Sequence, residues 1–445
     1  MSNLLFKSKK ILLLLGDILI LEISLYLTLL ARNYGELSAE SLFNHQTAFF
    51  FIFIVWLVVF YISDFYELKS SHNNFTLFSN LVRVFIINGI LAVLMFYFLA
   101  PLFPYIKPQK VLIIDLLISL SLIFGWRKIF YGLIKSPQIS NRTLIIGESD
   151  LAKDLIKEIK SRPQLGYQAE LLSQIPTDLK NYCIENKIDV LVINKELNYN
   201  DQEAPKIFDC LSLGIDIYNL TGFYELITQK IPVTDIDMSW FLENLSENSK
   251  KSYEIAKRFL DIIMASIGLI LSLPLLPLIA IIIKTESNGQ VIFKQIRVGQ
   301  NGKNFLAMKF RSMISDAEKN GAQWATKNDP RVTRWGKIMR KTRLDEIPQL
   351  INVLKGEMSL IGPRPERPEF IDSLSKQIPF YKERLLIKPG LTGWAQLMGP
   401  TYGGSEKESL EKMKYDLYYI KNRSLILDLS IILKTIRVVL SRKGQ

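Results

Sequence analysis

The chain has 445 residues, of which 49% are hydrophobic, and a formal charge of +12. That is too long for one ordinary domain. Two cysteines without a CxxC pattern and two histidines exclude a disulfide framework and a Cys/His zinc site. The charge is uneven: residues 250–445 hold 34 Lys and Arg against 18 Asp and Glu, and the first 249 residues are net acidic. The basic part contains neither His nor Cys, so any acid–base or nucleophilic chemistry there falls to Asp, Glu, Lys, Tyr, Ser or Thr. A basic region of this kind attracts anionic head groups or phosphorylated compounds. No nucleic-acid recognition module is legible.

Four apolar segments open the chain, Ile11–Ala31, Thr47–Ser63, Val84–Leu102 and Val111–Trp126. Each is near the ~20 residues needed to cross a bilayer. No small-residue cleavage site follows the first, which therefore reads as an anchor. Lys7, Lys9 and Lys10 precede the segments, Arg127, Lys128 and Lys135 follow them, and the 32–46 loop is net acidic. The positive-inside rule then places both ends of the bundle in the cytoplasm. His45 and His72 fall in loops, and Pro101, Pro104 and Pro108 mark the turn between segments three and four. Asp17, Glu22 and Asp115 are costly in lipid and are expected to face the bundle interior or an interface.

Residues 141–245 read as α/β. RTLIIGESDLAKDLIKEIKS has the pattern strand, turn, helix, and IDVLVIN and GIDIYNL are further buried strands. The turn from Gly147 to Ala152 is like a dinucleotide fingerprint, but Ser149 stands where a second glycine lets backbone approach a pyrophosphate. The expectation is a Rossmann-like scaffold without a cofactor, suited to self-association or regulation.

The stretch Lys257–Lys284 is long enough to cross a membrane, yet Pro274 and Pro277 interrupt it. Each removes a donor and clashes with the carbonyl four residues back, at Ile270 and Leu273. Lys250, Lys251, Lys257 and Arg258 precede it; Lys284, Lys294 and Arg297 follow. This symmetry predicts a re-entrant helix–break–helix with both ends on one side, Ser272 satisfying a freed carbonyl. A proline-kinked fifth span is the alternative. At the far end, Ser424–Lys443 reads as an amphipathic helix at the interface, with Tyr415, Tyr418 and Tyr419 at the membrane–water boundary.

Between these apolar elements lie polar motifs. FKQIRVGQNGKNFLAMKFRSM predicts a β-hairpin that carries Arg297, Lys309 and Arg311, and NDPRVTRWGK a turn that carries Asp329, Arg331 and Arg334. In RKTRLDEIPQL, Thr342 and Asp345 have capping-box spacing, and acids favour a helix's first turn in any case. Pro348 suits that first turn, Ile347, Leu350, Ile351 and Leu354 recur at helical spacing, and Gly356 ends the helix. Asp345 and Glu346 are thus expected at a helix N-terminus. Two ionised acids suit Mg²⁺, which takes one or two carboxylates and phosphate oxygens. Arg and Lys around them would grip a diphosphate, and a carboxylate can be the nucleophile that forms an acyl phosphate. The loops Pro363-Arg364-Pro365 and Pro389–Trp394 would serve as substrate walls.

The blocks KRFLD, KFRSM, NDPRVT, LDEIPQLINVLKGEMSLIGPRP and PGLTGWAQ occur in that order between Lys257 and Gln396. On these motifs the chain resembles the bacterial sugar transferases, and most closely their large-form members such as the undecaprenyl-phosphate galactose and glucose phosphotransferases. The resemblance covers nearly the whole chain. It implies a four-helix transmembrane bundle over 1–136 and a Rossmann-like cytosolic domain over 137–248. Over 249–445 it implies an α/β monotopic catalytic domain with a re-entrant helix at 257–284 and interfacial amphipathic helices. It also implies transfer of a sugar-1-phosphate from a UDP-sugar to undecaprenyl phosphate by a ping-pong mechanism. Asp345 matches the nucleophile and, with Glu346, the Mg²⁺ site; Glu346 matches the partner acid that helps hold Mg²⁺ or assists the acceptor phosphate, and Arg364 the nucleotide-end contact. The expected substrate-contacting set is Arg297, Lys309, Arg311, Asp329, Arg331, Arg340, Arg343, Arg364, Glu366 and Asp416, with Ser272, Pro274 and Pro277 forming the membrane break. The setting implied is a homodimer in the bacterial inner membrane, multi-pass, its catalytic domain facing the cytoplasm. The step implied is the first membrane step of exopolysaccharide, capsule or O-antigen synthesis. Two departures from the family pattern are visible: Leu273-Pro274 where Ser-Pro is usual, and Ser287-Asn288-Gly289-Gln290 where Ser-Pro-Gly-Pro is usual. An NAD-dependent nucleotide-sugar dehydratase or epimerase would need a second glycine fingerprint and a Tyr-x-x-x-Lys pair. The basic part offers only Tyr253 and Lys257, with no glycine turn ahead of them. A non-catalytic scaffold of polysaccharide assembly is the third reading.

Overall fold

Long apolar runs at both ends of a buried-strand region set the order of elements in the computed structural model. It describes residues 2–32, 38–67, 74–99, 108–135, 140–194, 203–245, 250–286, 288–314, 317, 329–400 and 405–440. The chain divides into two compact units, Met1–Ile227 and Thr228–Gln445.

The first unit begins with four helices, α1 (Ser2–Arg32), α2 (Ala39–Ile62), α3 (Asn74–Leu99) and α4 (Pro108–Lys135). α1 packs on α2 and α4, and α3 on the same two. Phe53, Trp56, Phe85 and Phe60 interlock edge to face or tilted in the core. Among the described residues Ser8–Arg32, Ala39–Ile62 and Phe75–Phe98 are long and apolar enough to cross a membrane; α4, which carries Asp115, Arg127 and Lys128, is not among them. Asp17 and Asp115 are buried as expected, while Glu22 is half-buried. Asp115 accepts from the Ser24 hydroxyl at 2.7 Å. Arg127 is not an exposed charge at the end of the bundle. α4 runs on unbroken to Lys135, so Arg127 is fully buried, 2.5 Å from Asp17 and 2.7 Å from the Phe65 carbonyl. His72, Pro101 and Pro104 lie outside the described residues.

The same unit continues as β1 (Asn141–Ile146), α5 (Asp150–Ser161), β2 (Tyr167–Leu172), α6 (Leu179–Glu185), β3 (Val190–Ile193), α7 (Ala204–Leu211), β4 (Asp216–Asn219) and α8 (Leu220–Thr228). The strands form a parallel sheet in the order β2-β1-β3-β4. Alternate side chains go to opposite faces. Ile145, Val190 and Val192 meet α5 and α8, whereas Leu144, Ile146, Leu191 and Ile193 meet α6 and α7. The β1–α5 turn bends at Gly147 (φ 98°), and the Ser149 hydroxyl caps α5 by accepting from Ala152 N.

In the second unit, α9 (Met238–Asn244) precedes α10 (Lys251–Ser272) and α11 (Leu275–Glu286). The last two form a pair bent by 64° at the Pro274 break. The freed carbonyls of Ile270 and Leu273 accept from the N–H groups of Leu273 and Leu276. Ser272 instead donates to Leu269 O, since a serine hydroxyl reaches its own preceding turn more readily. The hairpin β5 (Ile292–Val298) and β6 (Asn304–Phe310) turns at Asn301 (φ 55°). Then follow α12 (Arg334–Thr342), α13 (Gln349–Lys355), β7 (Ser359–Ile361), α14 (Pro368–Gln377), β8 (Gly390–Thr392), α15 (Trp394–Met398), α16 (Glu406–Asn422) and α17 (Leu425–Leu440). β7 and β8 pair in parallel, with Gly362 and Gly390 so close that a Cβ on Gly390 would lie 2.0 Å from Gly362 N.

Three expectations change here. Residues 334–342 form a helix rather than part of a turn, because Thr333 caps them by accepting from Gly336 N. Tyr415 and Tyr419 lie in the protein core and not at a membrane boundary: they fall on the face of α16 that meets Trp394 and Ile431. Residues 228–245, assigned by sequence to the middle domain, belong to the second unit. Ile231, Val233 and Phe241 join the core of Trp394, Met413 and Leu417.

Candidate active site

Three backbone segments bring charge together in the second unit: the end of β6, the turn after α12, and the Pro363–Pro365 turn. α12 stops at Thr342 because Arg343 adopts a left-handed conformation (φ 59°). Thr342 donates its hydroxyl to Ile338 O, so no capping box with Asp345 exists. Leu344–Glu346 forms its own 3-10 turn before Pro348 starts α13, so the two acids precede that seven-residue helix and do not lie at its first turn. Asn352, fully buried on α13, accepts from Met308 N at 3.1 Å and donates to Leu306 O at 2.8 Å. This fixes α13 against β6 and so sets where Lys309 stands. Arg258 closes the other end of α13, donating to Val353 O and Leu354 O at 2.6 and 2.7 Å.

Asp345 and Glu346 are both buried, each 5% exposed. Glu346 Oε1 accepts from Arg364 at 2.9 Å and Lys309 at 3.0 Å, with Arg343 at 3.5 Å. Burial alone would raise its pKa, because it disfavours the charged form. Lys309, Arg364 and Arg343 outweigh that and hold the carboxyl well below the usual range. Asp345 goes the other way. Burial pushes it up, Lys309 opposes, and the neighbouring Glu346 adds to the rise. Asp345 Oδ1 is buried without a hydrogen-bond partner. Of the two acids, then, one is spent on cations and the other keeps a buried oxygen free for a ligand or a bond. Two carboxylates with one free oxygen fit a hard cation such as Mg²⁺, which completes its shell with phosphate and water. No group of three or more His, Cys, Asp or Glu side chains suited to a metal exists among the described residues.

The remaining site residues of the sequence reading fall into separate groups. Arg340 donates to Ser312 Oγ at 2.9 Å and is close enough to both Asp345 and Asp329 to feel their charge. Asp329 and Arg331 form a two-pronged pair at 2.9 and 2.6 Å, and Arg331's hydrogen bonds hold the Asp329 carboxyl at about 2. Arg311 donates to the carbonyls of Asn288 and Ile283, at the end of α11, rather than reaching the dyad. Arg297 donates to Pro365 O at 3.2 Å and lies 3.9 Å from Glu366. Asp416, in the middle of α16, accepts from Arg384 at 2.8 Å. Arg384 was not singled out by the sequence: in YKERLLIKPG three neighbouring charged residues look alike, and only the fold reveals which is buried.

The profile of the family described as "Bacterial sugar transferase" matches residues 252–442. The chain is 42% identical over 241 residues to a UDP-N-acetylgalactosamine-undecaprenyl-phosphate N-acetylgalactosaminephosphotransferase of Aeromonas hydrophila, covering 53% of this chain and 55% of that one. It is 30% identical over 353 residues to an uncharacterized sugar transferase of Haemophilus influenzae, covering 70% of this chain and 72% of the relative. It is 46% identical over 186 residues to a UDP-glucose:undecaprenyl-phosphate glucose-1-phosphate transferase of Klebsiella pneumoniae, covering 41% and 39%. The chain thus spans about half the length of the first relative and less of the third. With the family profile over the second unit and a relative matched over most of its length, the chain belongs to the bacterial sugar transferase family.

Proposed function

We propose that this protein transfers a sugar-1-phosphate from a UDP-sugar to undecaprenyl phosphate, releasing UMP. The observation that carries the reading is the unequal dyad: Glu346 pairs with three cations, and Asp345 Oδ1 stays buried and unpaired. In the proposed sequence a carboxylate oxygen of Asp345 attacks the β-phosphorus of the donor. The bond from that phosphorus to the bridging oxygen breaks, and its electron pair leaves with UMP. An oxygen of undecaprenyl phosphate then attacks the same phosphorus, the bond to Asp345 breaks, and the carboxylate is restored. Glu346 holds Lys309, Arg343 and Arg364 in place; Arg364 in turn contacts the nucleotide end. Asp345 and Glu346 would hold Mg²⁺, which when bound offsets the charge of the diphosphate.

The 64° bend with basic residues on both flanks supports a re-entrant α10–α11 that keeps the dyad on the cytoplasmic side of the inner membrane. Four N-terminal helices as a membrane bundle, a middle domain that serves as a scaffold, and a homodimer complete the reading. So does a place at the first membrane step of exopolysaccharide, capsule or O-antigen synthesis. The relatives' names carry different sugars, N-acetylgalactosamine in one and glucose in another; the donor is proposed as the class of UDP-hexoses.

The test is UMP release by the purified full chain with undecaprenyl phosphate, Mg²⁺ and a panel of UDP-sugars. Asp345→Asn is expected to lower kcat by at least about a thousandfold. Equal release by the native protein and this variant would refute the assignment.

A further inference from the structure

Arg364 can serve Glu346 and a donor only if the Pro363–Pro365 turn that carries it is held still. One side of that turn is held by the hairpin: Arg297 donates to Pro365 O at 3.2 Å, and Val298 N donates to Glu366 O at 2.9 Å. The other side is held by Arg384, which lies in the 3-10 segment Tyr381–Leu385 and is 5% exposed. Its Nη2 donates both to Arg364 O at 3.1 Å and to Asp416 Oδ2 at 2.8 Å, and its Nη1 donates to the Tyr381 hydroxyl at 2.8 Å. Glu366 Oε1 stands 3.8 Å from the same nitrogen. A planar fork can satisfy several acceptors in fixed directions; an ammonium on a flexible stem cannot.

We infer that Arg384 and Asp416 are a positioning pair. Asp416 anchors Arg384 to α16, Arg384 pins the main chain of Arg364, and this aims the Arg364 guanidinium at Glu346. Asp416 is then no substrate contact, since its Oδ2 is turned to Arg384 inside the protein. The inference rests on the transferase reading and adds to it a residue that touches neither substrate nor dyad. The chemistry of the pair supports this placement: Arg384's donors go to protein acceptors on three elements, and burial removes it from solvent.

The experiment is a double-mutant cycle on the full chain, read as kcat/KM for UMP release with the UDP-sugar that the native protein turns over fastest. Arg384→Gln is expected to lower kcat/KM by about a hundredfold, the size of loss that a misplacement of about 1 Å can cause. In an Arg364→Lys background, where the aimed fork is already gone, the same change is expected to cost at most about threefold, because residues acting through one another are not additive. The full loss in both backgrounds would overturn the inference. Arg384→Lys separates positioning from stability: it keeps a cation beside Asp416 and is expected to hold Tm while kcat/KM stays low. Full recovery of kcat/KM by Arg384→Lys would also overturn the inference. Should Arg384→Gln fail to fold, Arg384→Lys carries the same cycle. A failure of the transferase reading itself shows earlier, as native protein that releases no more UMP than Asp345→Asn.

Discussion

At the residue scale, the two acids of the dyad are in opposite situations, and stability should report it. A buried carboxylate oxygen without a partner costs free energy. Asp345→Asn is therefore expected to leave Tm unchanged or raised while UMP release is lost, the trade-off of a group kept for function. Glu346→Gln should do the reverse to stability. It strands Lys309, Arg343 and Arg364 around a neutral amide and is expected to cost about 3 kcal/mol, as for breaking other buried pairs. Thermal unfolding of both variants in one detergent checks the pair of outcomes, and a common shift in Tm would contradict it. Asp416 supplies the pH dependence. Burial, opposed by Arg384, pushes its carboxyl up to about 6. A raised carboxyl means that the folded protein holds the proton more tightly than the unfolded chain, so Asp416 makes stability fall as pH rises from about 4 to about 6. Asp416→Asn removes that group, and the Tm difference between native and variant should slope across this window and be flat above it. The acids are legible in the sequence because two adjacent carboxylates stand out among cations, Lys309 because it falls on a predicted hairpin, and Arg364 because its Pro-Arg-Pro turn matches the family motif. Arg384 is not, because its task depends on a neighbour 32 positions along the chain.

At the scale of elements, local chemistry predicts breaks better than it predicts what each break does. The proline pair marks the bend between α10 and α11, and the glycine-rich turn marks the hairpin. But α12 hides in a stretch whose charges read as a loop, and its capping Thr333 is visible only in retrospect. The tyrosines of α16 mislead for a related reason: an amphipathic aromatic suits a membrane boundary or a core with a polar partner equally well. Here Tyr419 donates to Asp428 at 2.7 Å and takes a bond from Lys257 at 3.2 Å, which ties α10 to α17. The bend itself can be tested. Replacing Pro274 and Pro277 together by Ala restores two donors and removes two ring clashes, which favours one continuous helix. Single cysteines at Lys251 and Lys284, both outside the apolar stretch, report the sidedness, since native Cys183 and Cys210 are buried. A membrane-impermeant maleimide is expected to reach both positions from the same side in the native sequence and from opposite sides in the proline variant. Labelling from opposite sides in the native protein would count against the re-entrant reading.

At the scale of the whole molecule, the family match begins at residue 252, but the physical unit begins near 228. The sequence gives little sign of this, because residues 228–245 carry no chemistry and their apolar residues have no regular period. What they do carry is shape. Ile231 N donates to Lys414 O at 3.0 Å, Lys230 pairs with Glu411 at 3.1 Å, and the Phe241 ring lies 4.8 Å from that of Phe380. Ile231, Val233 and Phe241 are each buried in the core that also holds Trp394 and α16. Burying a side chain of this size contributes roughly 1.5–3 kcal/mol, so the three together are worth several, an upper figure given a compact unfolded chain. Domain stabilities are of order 5–15 kcal/mol, so losing this segment removes a large share of what holds the unit folded. A chain of residues 228–445 is therefore expected to fold in detergent with a higher Tm than one of residues 250–445, which should aggregate or melt early. Ile231→Asp in the full chain should lower Tm without touching any charged group of the dyad. Because α16 carries Asp416, loosening it should also weaken turnover in proportion to the lost stability. Equal Tm and equal UMP release from the two truncated chains would show that this segment is a passive linker.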